Sequence, residues 1–186
     1  NPQETLSASV YRNIITIAQL LGEWVWMEDF INNFRQAVGE DTYIFNLARL
    51  RFLQKRYTQT VELLQNRQDR FGDVLMLLAA KSLQLKALYE LFMLDTDGVS
   101  DYDDALETFI ASFIALLQRR KKELLHHYVY YLNLTQKVRQ LLTQQLSGRV
   151  KPRFLLALEQ SVQKTTEIAE KAWLLEKIAA AKTTTR

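Results

Sequence analysis

The chain has 186 residues, with 48% hydrophobic side chains but only five glycines, two prolines and no cysteine. That composition excludes a turn-dense β-sandwich, a disordered segment, disulfides, thiolate nucleophiles and Cys-ligated zinc. A net charge of +3, from 24 Lys and Arg against 21 Asp and Glu, is too weak for a dedicated nucleic-acid binder.

Apolar residues recur at three-to-four spacing, the helical period. The first helix is predicted over 5–21, with Val10, Ile14, Ile17, Ala18 and Leu21 on one face. The second runs over 27–38 and carries Phe30, Ile31, Phe34 and Val38. A third over 42–54 and a fourth over 57–70 are divided by Lys55-Arg56. After Gly72 a segment reaching Met93 is apolar almost all round, with Asp73 as its N-cap. Turn formers crowd 95–100, and Ser100 or Asp101 opens a sixth helix that ends near Leu117, with Asp103 and Asp104 at its positive end. Two longer helices follow over 123–146 and 152–181, joined at 147–151. Pro152 suits a first helical turn. A heptad-like seam of Leu155, Leu158, Val162, Thr165, Ala169 and Ala172 runs along the last helix, and the tail 182–186 reads as frayed. The total is about eight helices and no strands, with connections short enough to make neighbours antiparallel. No apolar run reaches the roughly 18 residues of a membrane span.

Residues 17–34 align with 47–64 at a shift of 30, which matches Ala18 with Ala48, Met27 with Tyr57, Ile31 with Val61 and Phe34 with Leu64. A third copy of the second-helix pattern starts at Asp101-Tyr102-Asp103-Asp104-Ala105-Leu106 and ends in Phe109. Small residues let two helices approach, and the aromatic fills the space at the turn. In these positions the chain resembles the tetratricopeptide (TPR) repeat family, best over Asp41 to about Arg70 with Ile44, Leu47, Ala48, Tyr57, Val61 and Leu64. It departs in carrying Arg51 where an aromatic is usual, Lys55-Arg56 for Gly-Asp, and no helix-ending proline. The runs Ala80-Lys81-Ser82-Leu83, Tyr89-Glu90-Leu91, Asp104-Ala105-Leu106 and Arg119-Arg120-Lys121-Lys122 are similar to the C-terminal part of TPR-type proteins common in Bacteroidetes genomes. That match implies a scaffold and names no activity.

By the resemblance, the first helix of each pair lines a concave groove that receives peptides, and Phe45, Asn46, Arg49 and Phe52 would face it. Asn46 falls where peptide-binding members place an Asn that holds ligand backbone. That family's carboxylate clamp needs further Lys, Arg and Asn residues from neighbouring helices, and the full set is not found. Phe45 and Phe52 are open to a second reading, burial against the neighbouring pair.

The densest charge feature is Arg119, Arg120, Lys121 and Lys122, which suits either an anionic ligand or the closure of a helix C-terminus. His126 and His127 are the only histidines; adjacent on a helix, they point about 100° apart, and Glu123 four residues before His127 completes no metal set. Tyr128, Tyr130 and Tyr131, with Trp24, Trp26 and Trp173 elsewhere, lack the interleaved cations of a base-stacking platform. No nucleotide-binding glycine loop or HExxH pattern occurs.

The expectation is therefore an all-α, right-handed α-solenoid of stacked antiparallel hairpins: TPR-like repeats over 1–122, capped by a longer pair over 123–186, in one continuous domain. The expected function is a non-catalytic protein–protein interaction scaffold for a peptide or protein partner, with no cofactor and no metal. The alternatives are a regulatory nucleic-acid-associated domain using 119–122, and a purely structural domain. The opening Asn1-Pro2-Gln3-Glu4 lacks an initiator Met and a signal pattern; the missing Met suggests a fragment or processed product, which leaves an upstream targeting sequence open, and cytoplasmic is the default expectation.

Overall fold

The computed structural model describes residues 6–65, 67, 71–95, 100–148 and 150–184, with the side chains of residues 8 and 184 excepted. Among them are eleven helices and no strand. In chain order these are α1 (Ala8–Leu21), α2 (Trp24–Asn33), α3 (Arg35–Val38), α4 (Glu40–Leu53), α5 (Tyr57–Gln65) and α6 (Val74–Leu94), followed by α7 (Tyr102–Arg119), α8 (Lys121–Leu124), α9 (His127–Leu146), α10 (Pro152–Lys164) and α11 (Lys171–Thr184). None is long and apolar enough to cross a membrane. The expected helix start at Thr5, the end of the fourth helix at Arg70, and the turn formers at 96–99 lie outside the described residues.

Eleven helices replace the expected eight because three of the expected helices break. Phe34 sits at φ −98, ψ 8, a conformation that ends α2 and starts the single turn of α3. Leu125 takes φ 51, ψ −127, costly for a branched side chain, and separates α8 from α9. The expected long helix over 152–181 is instead a hairpin. It stops at Thr165, which is extended, and resumes after Glu170 at φ 53. The β-branched pair Thr165-Thr166 lowers the helix propensity there, and bonds from α9 to the following link hold the break. The expected seam holds for Leu155, Leu158 and Val162, which are buried; beyond the break Ile168, Leu174 and Ile178 replace it, and Ala172 is exposed. Lys182, assigned to a frayed tail, lies within α11 and pairs with Glu159 of α10.

The chain forms two compact units, Asn1–Tyr102 and Asp103–Arg186. In the first unit each hairpin passes its chain to the next: α1 packs on α2, α2 on α4, α4 on α5, and α5 on α6. Ser7 opens α1 by accepting from the Val10 amide. Gly22 closes it at φ 71, its amide bonded to the Gln19 carbonyl and the Glu23 amide to that of Ala18. The second hairpin repeats this double bond with Lys55 and Arg56 donating to Phe52 and Arg51, at 2.9 and 2.8 Å, but Lys55 holds φ 60 with a side chain. A left-handed turn favours glycine there. Lys55→Gly is therefore expected to stabilise the chain by about 0.5–1 kcal/mol, a rise of roughly 1–4 °C in the thermal midpoint followed by circular dichroism. An unchanged or lower midpoint would refute this account of the turn.

The core of this unit joins Tyr11, Ile15, Ala18, Met27, Phe30, Ile31, Leu47 and Leu50. Phe30 lies at its centre, with the rings of Phe34, Trp26 and Tyr11 at 4.7, 5.1 and 5.3 Å. Burial pushes the Tyr11 phenol up to about 12, with Tyr43 adding to the effect. Arg51, at the position an aromatic would fill, donates through both terminal nitrogens to the Glu28 carboxylate of α2 and through one of them to Gln54. A second network runs Arg35–Glu40–Arg67–Asp41 and ties the start of α4 to the chain before α6. Helix α6 is buried on nearly every side, as its continuous apolar sequence predicts, and Asp73 caps it through the Met76 amide.

In the second unit, α7 buries Leu106, Phe109, Ile110 and Phe113, and the Phe113 ring lies 6.3 Å from that of Tyr131 on α9. Helices α9, α10 and α11 pack on one another. The link over 165–170 is tied to α9: the Ala169 amide donates to the Tyr130 carbonyl at 3.1 Å, and the Asn133 side chain to the Glu167 carbonyl at 2.7 Å. The Lys171 ammonium reaches back to the Gln163 and Thr165 carbonyls, satisfying the exposed end of α10.

Candidate functional site

Helix α4 brings Phe45, Arg49 and Phe52 together on one half-buried face, four and three residues apart. Phe52 is covered in part from within its own unit, with the Tyr57 ring at 5.3 Å and the Lys86 ammonium 5.3 Å above its face. Arg49 donates to the side-chain carbonyl of Gln19 on α1 at 2.6 Å. Positions 19 and 49 stand in the same relation as Ala18 and Ala48, so equivalent places on successive first helices meet. Asn46 is placed differently from the groove position expected of it. It is 5% exposed, on the side of Leu47 and Leu50, and its amide donates to the Thr42 carbonyl at 2.8 Å. One residue of helical rotation separates it from Phe45 and turns it inward.

The basic run spans the junction of α7 and α8. Arg119 is the last residue of α7, Arg120 bridges the two helices, and Lys121 and Lys122 begin α8. Arg120 forks onto Glu123 at 2.7 and 2.5 Å, and that hydrogen bond holds the Glu123 carboxyl below the usual carboxylate range. The Lys121 ammonium lies 5.0 Å from the Tyr128 ring. Arg119 and Lys122 are exposed. The break at Leu125 also changes the histidines: instead of diverging on a regular helix, the rings of His126 and His127 lie 4.0 Å apart. Among the described residues, no three His, Cys, Asp or Glu side chains are placed to hold a metal.

An apolar opening lies on α1. Tyr11, Ile15 and Ala18 turn into the core, while Ile17 is 56% exposed, Leu20 80% and Leu21 70%. The sequence puts Val10, Ile14, Ile17, Ala18 and Leu21 on one face; the structure divides that face, with Ala18 buried and Val10, Ile17 and Leu21 exposed. Val25 and Trp26 continue the exposed surface onto α2, with Trp26 anchored from beneath by Phe30. Between them lies an open cleft of about 340 Å³ lined by Ile14, Ile17, Ala18, Leu21, Glu23 and Trp26. Glu23 is the one charged residue in that lining. The signal for this face was present in the spacing of Val10, Ile14, Ile17 and Leu21, but spacing does not say which of two apolar faces a neighbour covers. A broader, polar trough in the second unit is lined by Gln136, Arg139, Gln140, Thr143, Ile114 and Phe154, among others.

No family model, curated protein or solved structure matches the chain. The likeness to TPR repeats rests on the residues quoted above.

Proposed function

We propose that the chain is a non-catalytic protein–protein interaction scaffold, a TPR-like right-handed stack of helical hairpins, whose partner seats on the exposed apolar face of α1 and Trp26. The observation that carries this reading is that face itself. It is contiguous, nearly free of charge, and set on a chain in which 24% of residues are charged. Apolar surface of that kind marks association sites on folded proteins. The stacked-repeat part of the reading draws on the passage of contacts from each hairpin to the next, and on Gln19 meeting Arg49 thirty residues on. Helices held in this way lose little freedom on binding, so apolar burial is expressed as affinity. Phe45, Arg49 and Phe52 form a second, more polar strip beside α1; Asn46 braces α4 from within.

The test compares association of the full chain with that of Leu21→Glu, Arg49→Glu and the double charge reversal Arg119→Glu, Arg120→Glu. Leu21 is exposed, so its substitution is expected to leave helicity unchanged and abolish association, while the 119–120 reversal keeps it. Loss with Arg49→Glu alone would move the site to α4. Loss with the 119–120 reversal, together with a steep salt dependence on DNA or RNA, would replace this reading with the nucleic-acid one.

A further inference from the structure

We infer that the occupant of the exposed α1 face is a second copy of this chain, paired antiparallel about a two-fold axis; this rests on the reading of that face as an association surface. Three observations lead there. Val10, Ile14, Ile17 and Leu21 follow a 4-3-4 spacing, the seam by which helices pair along their length. Such a spacing is the same from either end. In an antiparallel pair Val10 then lies opposite Leu21 of the second copy, and Ile14 opposite Ile17, which is the self-matching that a two-fold interface requires.

Charge points the same way. The 14 residues of α1 carry one charged side chain, Arg12, which lies on the side of the helix away from the seam. The seam is flanked by Asn13, Thr16 and Leu20. Two copies therefore meet without like charges facing each other, whereas a solvated helix face ordinarily carries them.

The area is also sufficient. The exposed fractions of Val10, Ile17, Leu20, Leu21, Val25 and Trp26 amount to roughly 700 Å² of accessible surface, backbone included, above the largest patch of a typical monomer at about 300–600 Å². Covered in two copies, that is about 1,400 Å², inside the range of roughly 1,200–2,000 Å² for specific interfaces. Trp26, rooted on Phe30 and half-exposed, supplies the aromatic anchor near one end of each seam.

Sedimentation equilibrium of the full chain tests the inference. The wild-type chain is expected to run at twice the chain mass at concentrations up to about 100 μM, and Ile17→Glu to weaken self-association at least about 100-fold. Ile17→Lys is expected to do the same, and an equimolar mixture of the two variants to restore the dimer, an outcome that misfolding cannot produce. A charge at Leu94, exposed on α6 away from the seam, is expected to leave the mass unchanged. A wild-type chain that stays monomeric throughout, or an Ile17→Glu chain as dimeric as wild type, overturns the inference. If the wild type is monomeric but association with another protein is still lost in Leu21→Glu, the dimer fails and the scaffold reading survives; if association is also unaffected by Leu21→Glu, the α1 site of that reading falls too.

Discussion

Replacing Ile31 by alanine is expected to destabilise the chain by about 3–4 kcal/mol, the largest effect of any single substitution considered, whereas the same change at Ile17 costs well under about 1 kcal/mol. The two residues have the same side chain, lie on neighbouring helices of one hairpin and contribute to the same apolar pattern. Ile31 is fully buried among Tyr11, Met27 and Leu50; Ile17 is 56% exposed. Truncating the first removes apolar burial and leaves a hole that surrounding helices fill only in part. The pair is measured by urea denaturation followed by circular dichroism, at a concentration low enough to hold both variants in the same oligomeric state. Similar losses at the two positions would mean that α1 is covered where it stands exposed here.

The second large effect concerns the ion pair between Glu28 and Arg51. Glu28→Ala leaves the guanidinium, 14% exposed, with Gln54 but without its carboxylate, and is expected to cost about 2 kcal/mol near neutral pH. Arg51→Leu, which returns an apolar group to a position where the repeat pattern takes one, is expected to cost less than Glu28→Ala. The hydrogen bond from Arg51 holds the Glu28 carboxyl below the usual glutamate range, against burial, which acts the other way. A carboxylate lowered in the folded state contributes stability above its unfolded value and loses it as pH falls through the folded one. The difference between wild type and Glu28→Gln is therefore largest near neutrality and narrows as pH drops below about 4. A difference that does not change between those conditions would show that the pair acts through shape and not through charge.

Much of the fold is legible in the residues. The eight predicted helices each correspond to one observed helix or to two consecutive ones, because periodicity and capping are local properties: Asp73 and Ser7 cap where short polar side chains should. What stayed hidden depended on contacts between distant segments. The stop at Thr165 relies on backbone and side-chain bonds from α9, and the kink at Leu125 has no glycine or proline to announce it. Lys55 is a related case: its departure from Gly-Asp looked like a weakness in the repeat, yet the chain makes the same left-handed turn with a lysine. The site was less legible than the fold. Phe45, Arg49 and Phe52 do share a face, but Asn46 differs from them by a rotation that helix periodicity alone resolves only when the buried side is known. On α1 the same ambiguity left open which residues of the apolar face a neighbour covers, because two adjacent apolar stripes compete for one neighbour.

The passage of contacts from α1 through α2, α4 and α5 to α6 has a consequence for how the molecule is made. The main packing partners in the first unit lie within one hairpin of each other in the chain. A chain with such local closure orders quickly, since each step brings together ends separated by few residues. It can also order while still being synthesised, each hairpin docking on the one that left the ribosome before it. The charge-free face of α1 is then completed before α4, α5 and α6 dock, and it stays exposed while they do.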